Sequence, residues 1–148
     1  MNIIQAESKH IPEVARLFDL YRQFYDCVPD LETATHFISD RVSNNESVIF
    51  VAETNDRLCG FVQMYPSFCS VDAAKIFILY DLFVDSAVRN GGVGALLMNQ
   101  ASGFARKNGA IRLDLLTGVN NQAGQHLYEK LGYKRGLDDF YAYSLSVS

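Results

Sequence analysis

The sequence predicts one domain of mixed α/β class, on three observations. Apolar residues recur at steps of three and four in some stretches and form unbroken β-branched or aromatic runs in others, so helices and strands alternate along the chain. A glycine-rich turn, Arg89-Asn90-Gly91-Gly92-Val93-Gly94, joins one such run to one such helix. The length of 148 residues suits a single hydrophobic core, since domains typically run to about 100–150 residues.

Asn2–Gln5 reads as a short first strand. Ser8 followed by Ile11-Pro12 marks a helix start with proline in the first turn, and Val14, Leu17, Phe18, Tyr21 and Tyr25 form its apolar stripe. Cys27-Val28-Pro29-Asp30 breaks that helix, after which Leu31, Ala34, Phe37, Ile38 and Val42 mark one face of a second, to about Ser43. Ser47–Thr54 is a β-rich strand, and Asn55-Asp56 turns it into a hairpin with Leu58–Tyr65. The connection Pro66–Ala74 mixes aromatic and small residues and is expected to line a pocket. Ile76–Val84 is a buried strand; Val93, Leu96, Leu97, Ala101, Phe104 and Ala105 then give a long helix ending at Gly109. Ile111–Thr117 reads as a strand, Gln122–Leu131 as a helix ending at Gly132, and Tyr133–Arg135 and Asp139–Ser146 as two last strands.

Composition narrows the function classes. Hydrophobic residues at 49% and charged residues at 20% exclude a disordered chain, and no apolar run is long enough to span a bilayer. Met1–Ile4 lacks the features of a signal peptide, so a cytoplasmic location is the default expectation. Three cysteines without Cys-x-x-Cys spacing, and histidines His10, His36 and His126 without ligand spacing, argue against a disulfide framework and a metal site. A net charge of −4 disfavours nucleic acid as a partner.

Glycines between a strand and a helix N-terminus leave backbone N–H groups unpaired, and the helix dipole adds positive potential there; the turn therefore suits an anion, above all phosphate. A purely structural turn is the plain alternative. The run lacks the Gly-x-x-x-x-Gly-Lys-Ser/Thr of a P-loop and sits too late in the chain for a dinucleotide fingerprint. Arg89-x-x-Gly92-x-Gly94, preceded by Leu82-Phe83-Val84-Asp85, resembles the coenzyme A pyrophosphate loop of the GNAT superfamily of N-acetyltransferases. Asn121-Gln122-Ala123-Gly124-Gln125-His126-Leu127-Tyr128-Glu129-Lys130-Leu131-Gly132-Tyr133 resembles the superfamily's second signature. Gly124 there replaces a small apolar residue, a departure expected to loosen the helix start. The order β-α-α-β-β-β-α-β-α-β-β is that of the GNAT fold, with a mixed, mostly antiparallel sheet flanked by helices.

The resemblance implies acetyl-CoA as cosubstrate, no metal, and transfer of the acetyl group to an amine, with direct attack in a ternary complex. It places Leu82, Phe83 and Val84 along the pantetheine arm, a backbone N–H of Leu82 or Phe83 at the oxyanion, Arg89, Asn90, Gly91, Gly92, Val93 and Gly94 at the pyrophosphate, and Asn121 on the coenzyme or as a helix cap. Tyr128 matches the superfamily's general acid; a core aromatic is its plainer role. Tyr80 and Asp81 are candidates for handling the amine's proton. As strand neighbours they are expected to point to opposite faces, so that only one reaches the substrate. Some similarity to diamine and thialysine acetyltransferases extends over Ile78–Val84, but Tyr80 stands where those enzymes carry an acid. Tyr25, Tyr65 and Asp81 are the candidate acceptor contacts for a small amine, as opposed to a peptide or protein amine. A non-catalytic acyl-CoA-binding domain is the remaining alternative. Dimerisation is a family-level expectation with which the aromatic last strand is compatible.

Overall fold

A computed structural model describes all of residues 1–148. The elements are β1 (Asn2–Gln5), α1 (Ile11–Phe24), α2 (Leu31–Ser43), β2 (Val48–Thr54), β3 (Arg57–Cys69), β4 (Ala74–Val84), α3 (Val93–Lys107), β5 (Leu113–Leu115) and α4 (Gln122–Lys130). They fall into two compact units, Met1–Leu116 and Thr117–Ser148.

In the first unit the strands form one five-stranded sheet in chain order, antiparallel from β1 to β4 and parallel between β4 and β5. Alternation along β2 decides which helix covers which face. Ile49 and Val51 join Val14, Leu17 and Phe18 of α1 and Ala34 and Ile38 of α2 in one buried cluster. Phe50 points the other way, edge-on to Phe104 of α3, which also meets Phe77 of β4. Phe61 lies on the α1 side, fully buried and edge-on to Phe18.

Local chemistry sets the helix bounds close to those expected. Pro12 occupies the first turn of α1, and the Asp30 carboxylate caps α2 by accepting from the Thr33 N–H at 3.1 Å and the Thr33 hydroxyl at 2.7 Å. Asp19, buried on α1, accepts the Asp30 N–H at 2.9 Å and so ties down the α1–α2 connection.

Strand lengths depart from expectation. Pro66–Ala74 is not a pocket-lining connection: β3 continues to Cys69 and β4 begins at Ala74 around a tight turn with Ala73 at φ 51°. Pro66 is tolerated inside β3 because β2 pairs no further than Met64, so one side of β3 needs no N–H there. β5 shrinks from the expected Ile111–Thr117 to Leu113–Leu115.

In the second unit α4 forms as expected, ending at Gly132 with φ 93°. The two last strands do not. Residues 134–148 carry no strand, and Phe140, Tyr141, Tyr143, Leu145 and Val147 are exposed. Alternation is a property of the segment alone, whereas a strand also needs a neighbour for its N–H and C=O groups.

Truncating the ring at the centre of the α1-side cluster, Phe61→Ala, is expected to cost about 3–5 kcal/mol. Urea unfolding followed by circular dichroism measures it, and a loss below about 1 kcal/mol would mean that this cluster is not the core.

Candidate functional site

Strand β4 is where the sheet opens. It pairs with β3 from Cys69↔Ala74 to Gly60↔Val84, but with β5 only over Phe77↔Leu113, Ile78↔Asp114 and Leu79↔Leu115. From Tyr80 to Val84 its β5-facing edge has no strand partner. At the same point the β3–β4 register slips: Gln63 faces Asp81 and Met64 faces Leu79, which leaves Tyr80 as the extra residue of a β-bulge.

The bulge corrects one expectation from the sequence. Tyr80 and Asp81 do not diverge; both line a single cleft of about 600 Å³, together with Phe18, Phe37, Arg41, Glu46 and Tyr65. Strict alternation holds only while the ladder is regular, and an added residue re-aims the next side chain. Tyr65 and Tyr80 meet edge to face, with ring centroids 5.4 Å apart. Tyr80 also borders a pocket of about 50 Å³ with Ile78, Leu79 and Leu116, where β4 and β5 part. Tyr25 does not line the cleft; it is exposed and stacks edge-on against Tyr21.

Asp81 is the buried carboxylate of this cleft. Gln63 Nε2 donates to its Oδ2 at 2.6 Å, and the Ser47 hydroxyl donates to Gln63 Oε1 at 2.7 Å, so a buried amide fixes the carboxylate's orientation. The Tyr21 hydroxyl, which donates to the Tyr80 carbonyl at 3.0 Å, also sits against Asp81. Burial pushes the Asp81 carboxyl up, and hydrogen bonds from Gln63 and Tyr21 offset part of that. Burial and then the nearby Asp81 charge raise the Tyr65 phenol to about 12 and push the Tyr21 phenol up as well. On the cleft wall Arg41 donates to Glu46 at 3.1 Å and lies 4.3 Å over the Phe37 ring. Gln63 and Arg41 escaped sequence reasoning: Gln63 is hidden in an apolar run, and Arg41 sits at an ordinary helix position.

Past β4 the chain makes a 3-10 turn at Ser86–Val88, capped by Asp85 accepting the Ala87 N–H at 3.0 Å. Arg89 folds back, its Nε donating to the Val84 carbonyl at 2.9 Å and its guanidinium 5.5 Å from the Phe83 ring centroid. Asn90 and Gly92 have φ of 66° and 81°, and Gly92 is the N-cap of α3 with no side-chain cap. A Cβ at Gly91 would crowd the Val88 carbonyl at 3.3 Å. The first backbone bond of α3 runs from the Leu96 N–H to Gly92 at 3.1 Å, and the amides of Val93, Gly94 and Ala95 ahead of it have no backbone acceptor. Residues Arg89 to Gly94 thus present N–H groups at a helix N-terminus, as an anion requires.

In the second unit Asn121 caps α4: its Oδ1 accepts the Gly124 N–H at 3.1 Å and its Nδ2 donates to Thr117 Oγ1 at 3.1 Å. Gly124, where the sequence led us to expect a looser start, gives its N–H to this cap. A Cβ there would lie 2.6 Å from Asn121 Nδ2, so the glycine makes room for the cap. Tyr128, on α4, has its ring 6.1 Å from that of Tyr133. Burial, with a further contribution from Tyr128, raises the Tyr133 phenol to about 12.

A carboxyl whose folded pKa lies above its unfolded one binds its proton more readily in the folded state. The associated stability is complete below the unfolded pKa and is lost as pH rises through the folded one. Asp81→Asn removes this loss, so at pH 7 the variant should melt a few degrees above the parent, about 4 °C for each kcal/mol in a domain of this length. The difference should vanish below about pH 4. Scanning calorimetry at both pH values checks it; a variant less stable at pH 7 would mean that the Asp81 charge is matched in the fold.

Comparisons with known proteins agree with one another. The model of the family described as "Acetyltransferase (GNAT) family" matches residues 14–133. An uncharacterized N-acetyltransferase, YhfO, of Bacillus subtilis is 42% identical over 147 residues, covering 99% of this chain and 98% of its own. The crystal structure of a probable acetyltransferase superposes with a TM-score of 0.92 at 36% identity, covering 100% of this chain and 99% of that one. An aminoglycoside N-acetyltransferase, AAC(6')-Iy, solved in complex with CoA, shares the fold at a TM-score of 0.82 and 15% identity, over 97% of this chain and 93% of that one.

Proposed function

Since the chain belongs to the GNAT family of acetyltransferases, we propose that it transfers the acetyl group of acetyl-CoA to the amine of a small molecule, by direct attack in a ternary complex. The observation that carries this reading is the change in β4 at Tyr80, where the strand loses its β5 partner and turns Tyr80 and Asp81 together into the cleft. The open edge and the cleft share one residue.

In this proposal Leu82, Phe83 and Val84 hold the pantetheine arm through their open backbone edge, as an added strand would be held. Arg89, Asn90, Gly91, Gly92, Val93 and Gly94 hold the pyrophosphate. The unpaired amides of Val93 and Gly94, and the open space where a Cβ of Gly92 would stand, fit that group. When bound, acetyl-CoA supplies an acetyl group activated as a thioester. A backbone N–H of Leu82 or Phe83 stabilises the carbonyl oxygen.

The acceptor amine enters the cleft against Asp81 and Tyr65, with Tyr25 outside it. A carboxylate held by Gln63 and pushed up by burial suits a group that takes a proton from an ammonium near neutral pH. Tyr80 borders the path between amine and thioester. Tyr128 donates its phenol proton to the departing thiolate, and Asn121 orients the coenzyme through the start of α4. The aromatic and acidic lining of the cleft supports a small amine as acceptor.

Thiol release measured across amines, amino acids, polyamines and basic peptides tests the acceptor class; turnover with small amines is expected, and activity confined to peptides would overturn it. Tyr128→Phe should lower turnover by about 100-fold or more, the usual worth of a positioned acid, while calorimetry finds acetyl-CoA affinity changed less than about threefold. Unchanged turnover would remove the general-acid role. Arg89→Ala and Gly92→Asp should each weaken acetyl-CoA by roughly tenfold, the second by placing a negative charge at the helix N-terminus. Equal affinity in both would show that the turn does not hold the pyrophosphate.

A further inference from the structure

We infer that the cleft takes a primary amine carrying one positive charge on an apolar body, and that Arg41 excludes diamines and polyamines by occupying the cleft's second carboxylate. The inference rests on the proposed acetyl transfer for the fate of the amine, and on the lining of the cleft for which amine enters.

Two carboxylates line the cleft, Asp81 and Glu46, and the fold treats them differently. Asp81 is buried, and its partners are the Gln63 amide and, from α1, the Tyr21 hydroxyl, both neutral. A buried carboxylate held only by neutral donors lacks a counter-ion once it ionises, and an ammonium group supplies one. Glu46 is already matched. Arg41 Nε and Nη2 each lie 3.1 Å from Glu46 Oε1, and the Glu46 N–H donates to the Arg41 carbonyl at 3.0 Å, so side chain and backbone tie the same two residues together. The Phe37 ring, 4.3 Å from the guanidinium, holds it from another side. One carboxylate is left to meet a cation.

With 49% of the Glu46 side chain in water, this ion pair contributes little to stability. Its effect in the cleft is to set the charge. A second ammonium group would approach a guanidinium whose carboxylate is engaged, and would leave water without gaining a partner. Long-range attraction works the other way, because a net charge of −4 favours dications. Rejection of a diamine is therefore a local property of Arg41.

The rest of the lining is aromatic: Phe18, Phe37, Tyr65 and Tyr80. Tyr65 stands edge-on to Tyr80, and Phe18 stacks on Phe37 with ring centroids 5.3 Å apart. Phe37 and Tyr80 remain 36% and 59% exposed, leaving ring surface for an apolar body to cover. The volume of about 600 Å³ is that of a small-ligand site.

Calorimetry on the full-length protein, with coenzyme A present, compares phenethylamine, one charge on an aromatic body, with cadaverine, two charges on an alkyl chain. Phenethylamine should bind roughly tenfold more tightly or better. Arg41→Gln frees Glu46 and should raise the affinity for cadaverine relative to phenethylamine by roughly tenfold; adding Glu46→Gln should take that gain away. Acetyl transfer to the same amines, read as thiol release, should follow the same order in kcat/KM. A parent that binds cadaverine as well as phenethylamine, or binds neither, overturns the inference. So does an Arg41→Gln variant with the parent's preference, or one whose gain survives the loss of Glu46. Should the variants fail to fold, the preference of the parent decides. Binding in the expected order without acetyl transfer would overturn the proposed reaction and uphold the assignment of the cleft; transfer that favours cadaverine would do the reverse.

Discussion

One strand carries two demands that regular pairing cannot meet together. β4 must be anchored firmly enough to belong to the sheet, and yet it leaves a stretch of backbone on one edge without a strand partner. The chain divides the demands by side and by position. On the β3 side pairing runs the whole length of β4; on the β5 side it stops at Leu79. The backbone groups beyond that residue stay open while the strand is still held by its other edge and by Phe61, Phe77 and the helices packed on both faces. The extra residue at Tyr80 sits at the boundary. It breaks the alternation that would send Asp81 and its neighbour to opposite faces, and the cleft on the α1–α2 side gains both side chains.

The carboxylate placed there is costly to keep charged. Burial raises its proton affinity, and the fold answers with a buried amide from Gln63, itself held by Ser47, instead of a cation. Arg41, the cation on the cleft wall, is engaged by Glu46. A carboxylate held by neutral donors keeps its proton affinity high, where an arginine partner would lower it. Such an arrangement costs stability once the carboxyl ionises, and in the proposed reaction it suits a group that meets an ammonium ion.

Much of the fold was legible because its signals are local. Pro12, the Asp30 cap, the Asn121 cap and the terminal glycines Gly109 and Gly132 mark helix ends through contacts reaching three or four residues, and the helices formed within a residue or two of the expected bounds. Arg89 to Gly94 was legible for the same reason: glycine freedom and a helix N-terminus are properties of six consecutive residues. Where the sequence misled, the missing information was a partner. The bulge at Tyr80 exists only in the register between β3 and β4, so Tyr80 and Asp81 were assigned to different faces. Gln63 looks like a stray polar residue until Asp81 is set opposite it. Gly124 looked like a weak helix residue because its use is to leave room for the side chain of Asn121. The last strands failed in the same way: Tyr141 to Val147 alternate as a strand should, but alternation alone supplies no neighbour.

The central claim is that the open edge of β4 and the amides at the start of α3 are one coenzyme site. The most direct measurement is a crystal structure of the protein with coenzyme A. The account predicts the pyrophosphate within hydrogen-bond distance of the Val93 and Gly94 amides and the pantetheine amides paired with β4 between Tyr80 and Val84. Coenzyme bound away from α3, or a β4 whose outer edge has been closed by another strand, would contradict it.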